Sequence, residues 1–147
     1  MSRFKLSEKS LQRLEGCHED IIKVTKRAIE ITPYDFGIPE KGGLRTVEYQ
    51  KKLYAQGRTT AGKIVTWTMN SPHLLGHAVD FIVYIDGKYI DGDNAEELRY
   101  YDAVAGAFLQ AGAELNIPIV WGGTFRDKRG KPRPDSGHIE LNSYFYK

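Results

Sequence analysis

The sequence predicts an α+β fold in which a small antiparallel sheet is flanked by helices. Three observations carry that expectation. Apolar residues recur at helical spacing in two long stretches, one near the N-terminus and one in the second half of the chain. Between them, alternating and β-branched residues flank an Asp-Gly pair. The length of 147 residues, with 41% hydrophobic and 27% charged, suits one globular domain spanning 1–147.

Taken in order, Leu11, Leu14, Ile21, Val24, Ala28 and Ile31 mark one amphipathic helix from Ser7, a capping residue, to about Ile31, where Pro33 stops it. Cys17 and His18 lie inside that stripe. Adjacent helical positions point about 100° apart, so the pair reads as packing or surface and not as a catalytic dyad. YDFGIPEKGG is rich in turn formers, and GLRTVEYQKKLYAQGRT reads as a strand end followed by a short helix, with Thr46 as cap and Gly57 as stop. TAGKIVTWTMNSP is a connection. AVDFIVYIDGKYI is a hairpin turning at Asp86-Gly87. Asn94 and Glu97 form a capping box for a second long helix, whose stripe Leu98, Tyr101, Ala105, Phe108, Ala111 and Leu115 runs to Pro118. IPIVWGG is a short strand, RDKRGKPRPDSG a basic loop and HIEL the closing strand; helices and antiparallel strands in this order make the class α+β.

Bulk properties narrow the function. The net charge of +2 arises from 21 basic and 19 acidic residues spread along the chain, which lacks the concentrated basic footprint of a nucleic-acid binder. MSRFKLSEKS has no secretory h-region and no later apolar run approaches membrane-spanning length. A cytoplasmic location without stable membrane insertion is expected. With Cys17 as the single cysteine, an internal disulfide and a multi-thiolate zinc site are excluded, so any metal must be held by histidine and carboxylate.

The segment SPHLLGHAVDF, residues 71–81, holds two of the four histidines. It fits an edge strand whose histidines are merely hydrogen-bonded or solvated. If it is extended from Gly76, however, Ala78, Asp80 and Ile82 share one face and His77, Val79 and Phe81 the other, which puts the Asp80 carboxylate among small and apolar residues where it needs a partner. A helical His73/His77 pair, as in HExxH metalloproteases, fails because Leu74 replaces the glutamate and the β-branched run leaves room for only a turn of helix. A third reading completes a mixed site with the remote His138 of DSGHIEL. Two histidines and a carboxylate with a fourth position open are a recognised ligand set for catalytic zinc, and Asp135, in the loop before His138, is a candidate base.

SPHLLGHAVD also matches the pattern S-x-H-x-x-G-x-A-x-D, and DSGH the pattern D/E-x-x-H, in the order and at a separation found in a family of zinc peptidases. The chain resembles the VanX- and VanY-like D-alanyl-D-alanine peptidases and, most closely, the single-domain phage L-alanyl-D-glutamate endolysins. LRTVEYQKKLYAQGRT resembles that family's arginine-containing segment, and TPYDF a segment seen near the start of the phage enzymes. The resemblance implies a VanY/hedgehog-like fold with zinc at the sheet, Zn2+ held by His73, Asp80 and His138, Asp135 as catalytic base, and Arg45 as an oxyanion-stabilising or substrate-binding group. The pattern makes no demand at His77, whose expected face is opposite to Asp80, so a role other than ligand is expected. Glu140, two residues beyond His138 on the same strand face, is either a support for that histidine or a carboxylate at the surface or core edge.

The implied function is cleavage of the L-alanyl-D-glutamate bond of the peptidoglycan stem peptide by a phage-type endolysin in host cell lysis. A D-alanyl-D-alanine carboxypeptidase or dipeptidase and a non-catalytic wall-binding module are the alternatives. A monomer is expected, held in the host cytoplasm until a separate holin-type protein opens a route to the periplasm and cell wall. Two departures from the family concern substrate detail: Thr124-Phe125 replaces the Asp-Trp that often follows WGG, and the 126–133 loop is unusually basic. That loop either attracts an anionic wall or is a solvated charge run.

Overall fold

The N-terminal apolar stripe folds as two helices, not one. In the computed structural model, which describes residues 3–66, 69, 71–132 and 134–147, α1 (Glu8–Leu14) and α2 (Glu19–Ile31) are separated by a turn at 15–18. Gly16 takes a left-handed φ of +85° there, and its Cα lies so near Leu44 that a Cβ would meet Leu44 Cδ2 at 2.9 Å. Helical periodicity carries across such a break because Leu14 of α1 and Ile21, Val24 and Ala28 of α2 still face one core, although Leu11 of the stripe is left exposed. Ser7 caps α1 as expected, accepting from the Ser10 amide, whereas His18 caps α2 with Nδ1 accepting from the Asp20 amide. Cys17 and His18 thus sit in the turn. Cys17 is buried, and burial pushes its thiol pKa up, which suits packing and not nucleophilic chemistry.

Met1, Ser2, Trp67, Thr68 and Asn70, the last three in the connecting stretch, and Arg133 of the basic loop lie outside the described residues. After α2 comes β1 (Asp35–Gly37), a strand hidden in a segment that reads as turns. GLR forms no strand; α3 (Val47–Ala55) follows, capped by Thr46 Oγ1 on the Tyr49 amide. A 3-10 turn at Pro72–Leu75 leads into β2 (Ala78–Asp80), β3 (Ile82–Ile85) and β4 (Lys88–Ile90). The β3–β4 turn has Asp86 at φ 52° and Gly87 at φ 77°, the paired positive values of a tight hairpin. Then α4 (Ala95–Leu115) ends at Asn116 in the left-handed conformation, and β5 (Ile119–Trp121) and β6 (His138–Leu141) complete the order. The capping box at its start is modified. Asn94 Oδ1 accepts from the Glu97 amide, but Glu97 Oε1 takes the amides of Asp91 and Gly92.

Two antiparallel sheets replace the single one expected, with strand orders β1-β3-β4 and β2-β6-β5. Residues 78–85 are therefore not one strand. At Phe81 the amide bonds to the Gly137 carbonyl at 2.7 Å and the chain passes from one sheet to the other. The ring of Phe81 is buried, stacked on Phe108 at 5.2 Å and Tyr101 at 5.6 Å. Around these rings α2 supplies Ile21, Val24 and Ala28 and α4 supplies Val104 and Ala111, in one hydrophobic core among the described residues. Among those residues, no helix is long and apolar enough to cross a membrane.

Candidate metal centre

The histidine-bearing segment explains its own residue pattern. Ser71 Oγ caps the 3-10 turn by accepting from the His73 amide, and Gly76 closes it at φ +71°. A Cβ on Gly76 would come within 3.0 Å of the Gly16 carbonyl oxygen, so the turn can pack on the α1–α2 break only with glycine there. Ala78 is wholly buried, and Asp80 then stands opposite His138 in the β2–β6 register. The five fixed positions of the pattern are thus a cap, a left-handed stop, a close-packed small residue and two polar side chains, His73 and Asp80, brought to one point with His138.

His73 Nε2 lies 3.2 Å from Asp80 Oδ1, and His138 Nδ1 lies 3.1 Å from the same oxygen. The trio's ligand atoms all fall within 4.8 Å of one another, a spacing that could hold a metal ion. The outer sides of the rings are also engaged. His73 Nδ1 is 2.8 Å from the Gly43 carbonyl and His138 Nε2 is 2.8 Å from Glu140 Oε1. A neutral histidine carries one ring proton, and a proton given to each outer acceptor leaves two bare nitrogens and a carboxylate oxygen converging on one point. Three acceptors with no donor between them are the donor set of a cation site, so the residues fit a metal.

Without a cation, protons must take that role. Burial lowers the His138 pKa, but its bonds to Asp80 and Glu140 outweigh burial and push it up to about 10. Burial likewise raises the Asp80 carboxyl, yet His73 and His138 beside it hold it well below the ordinary carboxylate range.

Arg45 is brought to the same centre, though not in the posture expected of an oxyanion donor. Its Nη2 lies 2.6 Å from Asp80 Oδ2, the oxygen turned away from the histidines, with Nε on the Lys41 carbonyl and Nη1 3.4 Å from Gln50 Oε1. The pair is mostly buried, with side-chain exposures of 13% and 23%, so it is not a surface salt bridge. The loop before α3 ties the site together through its backbone as well: Gly42 accepts from the Asp80 amide, Gly43 from His73, and the Arg45 amide donates to the His73 carbonyl. Gly43 cannot carry a side chain, because a Cβ would collide with the Arg13 carbonyl. Neither these carbonyls nor the fully buried Gln50 was evident from sequence; the only trace is the Gly-Gly pair and the helical spacing of Gln50 from Thr46.

Asp135 lies on the turn leading into β6. Its amide donates to the Gly122 carbonyl and its carbonyl accepts from His138, and Gly122 is needed because a Cβ there would strike the Asp135 carbonyl. Asp135 lines two cavities, as do Asp80 and Pro134. One, of about 550 Å³, is bounded by His73, Asp80 and His138 with Arg45, Tyr49 and Phe125; the other, of about 690 Å³, by Tyr89, Asp102 and Trp121. Asp135 is solvent-accessible, but the protein packed about its carboxyl raises its pKa above the ordinary value, and the Asp80 charge adds to the rise. That is the direction a proton-transferring carboxyl needs.

His77 stands outside the trio, edge-on to His18 at 5.5 Å and near Tyr146 at 6.1 Å. Glu140 faces the centre, through its bond to His138. Phe125, one of the departures from the family pattern, lies against the His138 ring at 5.5 Å. The basic loop folds on itself: Arg126 donates to the Gly130 carbonyl, and Asp127 Oδ1 accepts from the amides of Arg129 and Lys131.

Comparison with known proteins agrees with this arrangement. Residues 1–142 match the phage L-alanyl-D-glutamate peptidase family. The L-alanyl-D-glutamate peptidase of Escherichia phage T5 is 35% identical over 144 residues, covering 94% of this chain and 98% of the phage protein. The crystal structure of the Serratia marcescens L-Ala D-Glu endopeptidase ChiX superposes with a TM-score of 0.77 at 27% identity, covering 98% of this chain and 95% of that one.

Proposed function

The chain belongs to the phage L-alanyl-D-glutamate peptidase family, and from that premise we propose that it is a zinc-dependent peptidoglycan endopeptidase cleaving the L-alanyl-D-glutamate bond of the stem peptide, as a phage-type endolysin. The observation that carries the reading is the convergence of His73, Asp80 and His138 on one point with Asp135 beside it. Zinc held there would supply Lewis acidity to polarise a carbonyl and activate water for attack on the amide.

The chain's own residues do the rest. Asp135 accepts the proton of the attacking water at its carboxylate and returns one to the leaving amine, which its raised pKa favours. The peptide would lie across Asp135, with one flank in each of the two cavities that it lines together with Asp80 and Pro134. Arg45 keeps Asp80 turned toward the histidines and adds positive charge to the wall of the cavity that holds them. Release follows host membrane opening by a separate holin-type protein, and the enzyme then acts on the wall as a monomer.

Mass spectrometry of fragments released from purified peptidoglycan tests this. New D-glutamate amino termini, lost with a chelator and regained with zinc, are expected. Release of D-alanine alone would move the chain to a carboxypeptidase, and a folded, zinc-loaded protein that releases nothing would be a binding module.

A further inference from the structure

We propose that Glu140 is a positioning residue, which sets the tautomer and the aim of His138 and so makes Nδ1 of that ring the atom presented to the metal. The inference rests on the metal-centre reading above and assigns a role within it to a residue outside the ligand trio.

The geometry leaves His138 little choice. It and Glu140 are two residues apart on β6, the central strand of its sheet, so their side chains leave the same face. Asp80 is the direct cross-strand partner of His138. The imidazole ring bridges these two neighbours, with Nδ1 3.1 Å from Asp80 Oδ1 and Nε2 2.8 Å from Glu140 Oε1. Both ring edges thus face a carboxylate, and which nitrogen keeps the single proton of the neutral ring decides whether the site has its third lone pair. Glu140 takes the N–H at Nε2 and frees Nδ1. The pair is well shielded, with side-chain exposures of 6% for His138 and 19% for Glu140, so water is a poor substitute acceptor.

His73 solves the same problem with a backbone atom, the Gly43 carbonyl, which no side-chain substitution removes. Glu140 is the side-chain counterpart, and therefore the one of these two supports that mutation can test. An ordinary structural ion pair in the same place would stabilise the metal-free fold and leave metal affinity alone.

Zinc affinity would be measured by competition with a chromophoric chelator for the wild type, Glu140→Gln, Glu140→Ala and the ligand control His73→Ala. Loss of an outer support of this kind typically lowers metal affinity about 10–100-fold, and Glu140→Ala is expected to fall in that range. Glu140→Gln keeps an oxygen acceptor and should recover most of the loss. Nitrogen-15 spectra of the zinc-loaded wild type should show His138 protonated at Nε2, a reading that needs no variant to fold. Wild-type affinity in Glu140→Ala, or a proton on Nδ1 with zinc on Nε2, would overturn the role of Glu140. A wild type that takes up no zinc, or His73→Ala binding as tightly as wild type, would instead overturn the metal centre itself.

Discussion

The two sheets share a continuous stretch of chain and one hydrophobic core, but only one of them carries the metal centre. β3 continues from β2 after a single residue, Phe81, yet the β2-β6-β5 sheet carries Asp80, His138 and Glu140, while the β1-β3-β4 sheet carries none of the described centre. In the first, polar side chains sit on a sheet face because each has a partner: histidine against aspartate, arginine behind the aspartate, glutamate behind the histidine. In the second, Val83 packs into the core and the hairpin end is exposed. Buried polarity is tolerable where a network satisfies it and costly elsewhere. A break at Phe81 therefore lets one β-branched run pack into the core on both sides while only the β2 side also presents a polar face, at Asp80.

The sharpest way to separate the two regions is through Asp135. Asp135→Asn should leave zinc content and melting temperature near wild type while the hydrolysis rate falls about 10²–10⁴-fold; an active variant would remove that carboxyl from proton transfer. Phe81→Ala attacks the junction itself. Emptying a fully buried aromatic site typically costs about 3–5 kcal/mol, and urea unfolding should show a loss of that size, whereas a loss below about 1 kcal/mol would mean the sheets are not joined through this ring.

Arg45→Ala should weaken zinc binding roughly tenfold or more by releasing Asp80 Oδ2. An unchanged affinity with a reduced rate would return Arg45 to the oxyanion role. Proton linkage sharpens the polar side further. The His138 pKa of about 10 in the metal-free protein means the ring is protonated at neutral pH, so zinc must displace about one proton on binding. Calorimetry in buffers of different ionisation enthalpy would register that release. Zinc affinity should therefore increase with pH until His138 is deprotonated near pH 10 in the metal-free form.

The smallest effect belongs to the far end of the other sheet. Gly87 has open space around its Cα but a φ of +77°, so Gly87→Ala adds backbone strain without a clash. A cost of about 1–2 kcal/mol is expected, seen in thermal unfolding, with peptidoglycan hydrolysis per folded molecule unchanged.

Much of this molecule was legible in the residues alone, for reasons that are local. The Asp86-Gly87 hairpin, the Thr46 and Asn94 caps and the long helix ending before Pro118 depend on neighbours a few positions apart. The residue patterns pointed to His73, Asp80, His138 and Asp135, the family resemblance added Arg45, and the fold brings all five to one place. What sequence could not supply was decided over long distances. The break at Gly16 exists because Leu44 and Gly76 pack against that turn, and the break at Phe81 because Gly137 accepts its amide. β1 is a strand only because β3 lies beside it. The same holds for the second layer of the site. The carbonyls of Gly42 and Gly43 carry no side-chain signature, and the engagement of Arg45 with Asp80, or of Glu140 with His138, is a matter of which atom faces which. Residue type and spacing determine which groups can bind a metal or move a proton; tertiary packing alone decides where each lone pair points.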